Sequence, residues 1–205
     1  LEKRSPLDRG MLARALRNID AMGAKAIGID ILFDQPQAED AELIATLRAM
    51  RTPVSVAYAD VATNALDIVY DQQQFLDGFM ARLDGSKARP ASIKLSAETG
   101  VTRVWPEIEP GLPPLLGRAM LASAGEPAAR TFPGYEGAIR YRKPALVEYP
   151  VFASLKIELF ANDALLAVPE VRAQLAGQIA GRYVLIGGDI VDYDRVLTPF
   201  SAFDD

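Results

Sequence analysis

The amino-acid sequence predicts an α/β fold, a layered sandwich in which helices flank a mainly parallel central sheet. Two segments near opposite ends of the chain, residues 25–33 and 182–187, are apolar almost throughout, which is typical of strands covered on both faces. Between them, apolar residues at helical spacing alternate with short apolar runs, the pattern of βαβ units. The 205 residues, 50% of them hydrophobic, are enough for one full core, so we expect a single domain over residues 1–205.

The first half of the chain contains the clearest βαβ unit. A helix is expected between Ser5, as its N-cap, and Gly23, because the apolar residues between them recur at helical spacing. The strand over residues 25–33 follows, and a helix opened by Pro36 then leads into a second strand over residues 53–58. Because such crossovers are right-handed, both strands are expected to run parallel and to end at the same edge of the sheet.

The second half of the chain gives shorter and less regular signals. Glycine and proline separate its apolar stretches, which indicates turns and loops between short elements. The last strand, over residues 182–187, is apolar almost throughout, so we expect it to be central. The other elements expected here are a helix over residues 72–83, short strands over 91–95 and 101–105, a helix over 115–124, a strand over 138–141, an amphipathic helix over 150–161 and a helix over 169–176.

The composition excludes several classes of function. The chain has no histidine and no cysteine, which excludes Ser-His-Asp triads, thiol nucleophiles and zinc sites of the usual kind. Its formal net charge is −5 and no stripe of basic residues is present, so we expect no nucleic-acid partner. Any chemistry in this chain would depend on carboxylate, Lys, Tyr or Ser side chains.

The two ends of the chain suggest a piece of a longer protein. No apolar run approaches the roughly 20 residues that a transmembrane helix needs. The chain starts almost directly in a predicted helix, and residues 201–205 follow the last strand region without a capping element. We therefore expect the domain to be excised from a larger protein.

Asp30 is a carboxylate inside a predicted buried strand. Such a group must be hydrogen-bonded or paired, because leaving it unpaired in an apolar environment costs several kcal/mol of folding free energy. We interpret Asp30 as a structural acid, with a ligand role as the alternative. On a straight strand the Cα atoms of Asp30 and Asp34 lie about 13 Å apart, too far for one metal ion or for an acid/base pair. The expected partner of Asp30 is the loop after residue 186, provided that the two strands are neighbours.

The loop over residues 187–194 follows the last predicted strand and is rich in glycine and aspartate. It lacks the spacing of the GxGxxG dinucleotide motif, and its aspartates oppose phosphate binding. Read as a calcium loop from Asp192, it also lacks the glycine and the glutamate that an EF-hand requires. We therefore expect no metal site and no cofactor, while a cation in the acidic part of this loop stays open. Gly187 and Gly188 have a simpler interpretation as a sharp exit from a buried strand.

Short motifs follow one another in a defined order along the chain. After the capped helix, Ala-Lys-Ala-Ile-Gly-Ile-Asp-Ile-Leu-Phe-Asp occupies residues 24–34, and Glu-Gly-Ala-Ile-Arg occupies residues 136–140. Val-Leu-Ile-Gly at residues 184–187 precedes Asp194 and the Thr-Pro pair at residues 198–199. In order and spacing, this series resembles the second type of CHASE domain, the cyclase/histidine-kinase-associated sensory extracellular domain. The resemblance covers nearly the whole chain.

The resemblance implies an extracytoplasmic, periplasmic bacterial sensor of an unknown small-molecule or environmental signal. It also implies a membrane tether through one transmembrane helix before the domain and several after it, a homodimer in the full protein, and a cyclase or kinase as the output domain. One departure is Glu136, because an aspartate is more usual before the glycine. The positions that match the family's recurrent residues are Asp30, Phe33, Gly187, Asp194, Thr198 and Pro199, and Arg140 matches the arginine after its acidic-glycine turn.

We expect a sensory domain that has no catalytic residues and whose signal leaves through both chain ends. Two alternatives stay open: a Rossmann-like enzyme that uses carboxylates and Mg²⁺, and a structural module that positions dimers. The residues expected to bind the ligand or to switch the structure are Asp30, Phe33, Asp34, Arg140, Gly187, Gly188, Asp194 and Thr198.

Overall fold

The computed structural model describes residues 7–62, 68–95, 101–106, 109–127, 129, 137–142 and 151–188. Within these residues a four-stranded parallel sheet is flanked by helices, so the predicted α/β fold is confirmed. The elements are α1 (Arg9–Ala21), β1 (Ala26–Asp30), α2 (Asp40–Ala49), β2 (Val54–Tyr58), α3 (Tyr70–Ala81), β3 (Ala88–Ser92), α4 (Leu116–Ser123), α5 (Glu158–Ala161), α6 (Asp163–Leu166), α7 (Pro169–Ile179) and β4 (Tyr183–Gly187).

The strands follow the order β3-β2-β1-β4, and every pair is parallel. In the register, Ile27 of β1 lies opposite Val54 of β2 on one side and Val184 of β4 on the other. The expected βαβ unit is therefore present. β4, however, lies at the edge of the described sheet, so the expectation of a central last strand is wrong. The apolar sequence of β4 does not distinguish a central strand from an edge strand, and Leu185 of β4 is 64% exposed.

Most of the helices cover one face of the sheet. Ile27 and Ile29 of β1 share a hydrophobic cluster with Leu12 and Leu16 of α1. Side chains from α2, α3, α5, α6 and α7 belong to the same cluster, because each of these helices turns an apolar side toward the sheet. None of the described helices combines the length and the apolar character that crossing a bilayer requires.

The opposite face carries small side chains and is covered by α4. Ala26 and Gly28 of β1 and Ser55 and Ala57 of β2 alternate with the core residues, so they point to this face. A Cβ atom on Gly28 would overlap Sδ of Met120 in α4 and would lie 3.1 Å from Leu185 Cδ1. Glycine at position 28 thus permits the close approach of α4 to the sheet.

Several predicted helices are confirmed with small changes of their ends, while the N-cap of α1 differs. Helices α2, α3, α4 and α7 occupy the regions where the sequence pattern places them. For α1, Asp8 is the N-cap, and its side chain accepts a hydrogen bond from the Met11 N–H at 2.5 Å. Ser5 lies outside the described residues.

The first predicted strand, over residues 25–33, is too long. β1 ends at Asp30, and the next residues form a loop that leads to α2. Phe33 in this loop is only 1% exposed, because its ring turns into the core. The apolar character of residues 31–33 therefore reflects packing of a loop and not pairing of a strand.

The predicted amphipathic helix over residues 150–161 is present only at its end, as α5. Val151, Phe152 and Leu155 are 37%, 82% and 42% exposed, so their spacing does not correspond to a buried helix face. The short strands also differ from expectation. Residues 101–105 and 138–141 form isolated bridges, among them the antiparallel bridge of Val104 to Ala138, and β3 begins before the predicted 91–95.

Candidate functional site

The carboxyl ends of β1 and β4 lie side by side and bring two predicted site residues together. Asp30 and Gly187 are partners in the parallel register, and a Cβ atom on Gly187 would lie 3.6 Å from Asp30 Cβ. Because β1 ends at Asp30, its carboxylate is exposed, so the expectation of an acid buried within a strand is wrong. The straight-strand separation of about 13 Å from Asp34 does not apply either, since the chain leaves the strand first.

Asp34 lies in the loop over residues 31–39, between β1 and α2, and it is half-buried. Its Oδ2 accepts a hydrogen bond from Nε2 of Gln72 in α3 at 2.6 Å. Burial raises the pKa of Asp34, although the Arg9 guanidinium acts in the opposite direction. A carboxylate with a raised pKa at the carboxyl edge of a parallel sheet is a candidate functional group with a physical cause.

Phe33 supports this loop from inside the core. Its ring packs against Phe79 of α3 with a centroid separation of 4.8 Å and an angle of 39° between the planes. The guanidinium carbon of Arg9 lies 4.9 Å from the Phe33 ring centre and 5.7 Å from that of Phe79. Phe33 is therefore a packing residue that anchors the loop, and the face of its ring lies against the Arg9 guanidinium.

Arg9 joins α1 to α2 and to the loop over residues 31–39, and it is not among the site residues predicted from the sequence. It is the first residue of α1, it is 1% exposed, and its Nη1 forms an ion pair with Asp40 Oδ1 at the start of α2. Its Nη2 donates a hydrogen bond to the Gln35 carbonyl oxygen at 2.8 Å. Asp40 Oδ2 also accepts a hydrogen bond from the Gln37 N–H at 3.0 Å. Desolvation lowers the pKa of Arg9, and the charge of Asp40 partly offsets this effect.

A signal for Arg9 was present in the sequence. Residues 9, 12, 13 and 16 follow helical spacing, so Arg9 lies on the apolar stripe of α1 together with Leu12 and Leu16. A cation near a helix N-terminus also interacts unfavourably with the helix dipole. An arginine on the buried stripe of the first turn therefore indicates a buried acceptor, which is Asp40 here.

The carboxyl end of β2, which lies at the same edge of the sheet, also carries a polar contact. The Tyr58 hydroxyl donates a hydrogen bond to Asp77 Oδ1 of α3 at 2.8 Å. Burial together with the charge of Asp77 raises the pKa of Tyr58 to about 12. Gln73 Oε1 accepts a hydrogen bond from the Val61 N–H at 2.9 Å, so α3 is tied to the segment after β2 as well.

The remaining predicted residues are not all at this edge. Gly188 follows β4 directly and is exposed. Arg140 is exposed and follows the bridge between Val104 and Ala138, which is separate from the four strands. Asp194 and Thr198 lie outside the described residues.

A concave region lies away from these residues, at the opposite, amino-terminal edge of β1 and β2. It is a shallow depression of about 350 Å³ lined partly by Asp20, Arg51 and Thr52. Burial disfavours the charged form of Asp20, but hydrogen bonds from Thr52 and from the Arg51 N–H outweigh it and lower its pKa. Its carboxylate is thus satisfied by the protein itself, with the Thr52 N–H at 2.7 Å.

The contacts at the carboxyl edge hold several elements together. Arg9, Asp40 and Asp34 join α1, α2 and the loop between β1 and α2, and Gln72 adds α3. Among the described residues, no group of three or more carboxylates is placed to hold a metal ion.

Comparison with protein-family models gives a match over nearly the whole chain. The protein-family model described as the CHASE2 domain matches residues 1–204, which is the chain except for its last residue. No curated protein and no solved structure matches the chain. The match agrees with the resemblance that the order of the motifs indicates.

Proposed function

Because this chain belongs to the CHASE2 family of extracellular sensory domains, we propose that it is the extracytoplasmic input domain of a bacterial transmembrane receptor. In this proposal the domain detects a small molecule or an environmental signal on the periplasmic side of the membrane. Transmembrane helices flank it, and it regulates a cytoplasmic adenylate cyclase, histidine kinase or other output domain. The domain itself is not catalytic, as expected of a sensory domain family.

The observation that carries the proposal is that three parts of the chain meet at the carboxyl edge of the sheet. These are the loop over residues 31–39, the first residue of α1 and the end of β4. Parallel sheets bind ligands at this edge. The first described helix, α1, starts at this edge, and the last described strand, β4, ends there. A rearrangement of the loop would therefore occur next to both chain segments through which the signal is proposed to leave.

A ligand acts on such a domain only through its different affinity for two arrangements of the edge. The proposed contact residues are Asp30, Gly187 and Gly188, which are exposed, and Asp34, which is half-buried. Asp194 and Thr198 are proposed to extend this set. A ligand that engages Asp34 competes with the hydrogen bond from Gln72 and thereby loosens the loop from α3.

Thermal unfolding of the isolated domain tests the binding site. We expect at least one member of a screen of metal ions, organic anions and organic cations to raise the unfolding temperature, because it binds the folded state alone. The Asp30→Asn variant is expected to lose most of this increase. Asp84→Asn is the matched control, since Asp84 is exposed on the turn after α3. The binding-site proposal fails if no compound or ion stabilises the wild type and the only effect of Asp30→Asn is to lower the stability of the domain.

A further inference from the structure

The first residue of α1 connects four parts of the molecule through one side chain. Arg9 reaches Asp40 at the start of α2 and the Gln35 carbonyl in the loop over residues 31–39. Its guanidinium also lies over Phe33 of that loop and over Phe79 of α3. The start of α1 and the loop at the carboxyl edge are therefore joined by a planar group with fixed donor directions.

Simple stabilisation does not account well for such a pair. Taking an arginine and an aspartate out of water costs most of what their attraction returns, and apolar side chains of similar volume often stabilise a protein equally well. The side-chain exposures of Arg9 and Asp40 are 2% and 11%. What the ion pair adds over apolar packing is a defined geometry, because two donors fix the arginine relative to both Asp40 and Gln35.

The same helices also carry a pair that is suited to serve as a control. Arg17 of α1 pairs with Glu42 of α2 at 3.1 Å, and their side chains are 48% and 45% exposed. An exposed pair of this kind contributes little to stability. Arg17 Nη1 also donates a hydrogen bond to Thr46 Oγ1 of α2 at 3.0 Å. Among the described residues these side-chain bonds join α1 to α2 and not to the loop over residues 31–39, so the pair separates helix–helix contact from contact with the loop.

We propose that Arg9 is a latch that couples the first turn of α1 to the loop over residues 31–39. When the loop is in the arrangement described here, the Arg9 pair holds the start of α1. When the loop rearranges, Gln35 and Phe33 move away from the guanidinium and the start of α1 is released. The role of this latch as a signal relay rests on the proposed sensory function, whereas the mechanical coupling itself does not.

Asp34 connects the latch to the exposed part of the edge. Its charge acts on the Arg9 guanidinium, as do the charges of Asp40 and of Arg82. Gln72 holds the Asp34 carboxylate from α3 at 2.6 Å. A ligand that binds Asp34 therefore changes both the position of the loop and the field at the arginine.

Amide hydrogen exchange in the isolated domain tests the coupling. In Arg9→Met/Asp40→Asn no buried charge is left unpaired, and the asparagine oxygen still accepts the bond from the Gln37 N–H. We expect exchange to become about tenfold faster or more both at the amides of residues 33–35 and 37 and at the Met11 and Leu12 amides, with β2 unchanged. In Arg17→Met/Glu42→Gln, exchange at these positions is expected to match the wild type.

Two results would overturn the latch. An equal acceleration throughout β2 would mean that the pair is a general stabiliser, and an acceleration in only one of the two segments would mean that they are not coupled. Near-ultraviolet circular dichroism of each variant establishes that it is folded. If the double variant does not fold, exchange in Arg9→Lys decides the question by the same criterion, because lysine keeps both charges but lacks the planar fork that reaches Asp40 and Gln35 together.

The relay function is tested in the full-length membrane protein, with output activity as the readout. We expect Arg9→Met/Asp40→Asn to change the response to the signal severalfold, while Arg17→Met/Glu42→Gln responds like the wild type. A wild type that responds together with a latch variant that responds identically refutes the relay and leaves the sensory function standing. A wild type with no signal-dependent output refutes the sensory function, and the exchange experiment then still decides the mechanical coupling.

Discussion

Asp34 is a carboxylate that the fold half-buries at a cost. Burial raises its pKa above the usual value of 3.8, and the Arg9 charge only partly compensates. Because the folded-state pKa lies above the unfolded-state pKa, the contribution of Asp34 to stability is fully present below the unfolded value and is lost as the pH rises through the raised one. A group that lowers stability at neutral pH is more typical of a functional position than of a structural one.

We expect Asp34→Asn to raise the unfolding temperature slightly at pH 7, because it removes the charge and keeps an acceptor for Gln72. The rise stays small since solvent screens a half-exposed carboxylate. Its size should decrease as the pH is lowered toward 3.8, the usual pKa of aspartate. Thermal unfolding at a series of pH values measures this difference.

Asp20→Asn is the control of opposite sign for this measurement. The pKa of Asp20 is lowered, because hydrogen bonds from Thr52 and Arg51 outweigh its burial. Its contribution to stability is present above the unfolded pKa and is lost as the pH falls through the folded one, so Asp20→Asn should unfold at a lower temperature at pH 7. An Asp34→Asn variant that is less stable than the wild type at pH 7 contradicts the argument for Asp34.

Among the elements, α4 depends most directly on one position of the sheet. Met120 of α4 occupies the space where a Cβ atom on Gly28 would lie, and Leu185 of β4 approaches the same point at 3.1 Å. The neighbouring residues on this face, Ala57 among them, are small and buried. The packing of α4 on the sheet is therefore set by side-chain volume.

We expect Gly28→Val to lower the free energy of unfolding by about 1–3 kcal/mol, because the added methyl groups overpack the contact with Met120. Denaturant unfolding measures the change. Gly78→Ala in α3 is the control, since no atom lies within 4 Å of a Cβ at that position. It should stabilise the domain by roughly 0.5–1 kcal/mol through helix propensity. A Gly28→Val variant as stable as the wild type would show that α4 is not packed against this strand.

At the scale of the whole molecule, β4 is the edge of the described sheet that exposes apolar side chains. Tyr183 is 39% and Leu185 is 64% exposed, and both lie on the same face of the sheet as α4, since they pair with Ala26 and Gly28 in the register. The start of β4 is held by the Lys25 N–H, which donates to the Arg182 carbonyl at 2.8 Å, and Lys25 also lies over the Tyr183 ring at 5.5 Å. Exposed edge strands promote pairing with another strand, and this favours the proposed homodimer through β4.

We expect the wild-type domain to form dimers and Leu185→Lys to weaken them by about tenfold or more, because a charge on the edge opposes strand pairing. Analytical ultracentrifugation over a range of concentrations measures the dissociation constant. Phe152→Lys is the matched control, since Phe152 is an apolar side chain that is 82% exposed outside the sheet. A dimer that persists in Leu185→Lys and dissociates in Phe152→Lys would place the interface elsewhere.

The candidate site was only partly predictable. Asp34 directly follows the apolar run over residues 25–33, so its position after a strand is a local property of the sequence. Asp30 and Phe33 lie within that run, and the sequence pattern placed both inside the strand. Arg9 pairs with Asp40, 31 positions further along the chain, and no local pattern specifies such a contact. The exposure of Asp30 likewise depends on where β1 ends.

The sequence by itself determined the βαβ order of the elements and membership in the CHASE2 family. Apolar periodicity and motif spacing are properties of the sequence and do not depend on which distant segments pack together. Only the tertiary structure decided that β1 ends at Asp30, that β4 lies at the edge of the described sheet and that Arg9 pairs with Asp40. Each of these depends on which distant segments come together. A strand ends where its neighbours stop pairing, and an arginine is buried where the fold supplies a carboxylate.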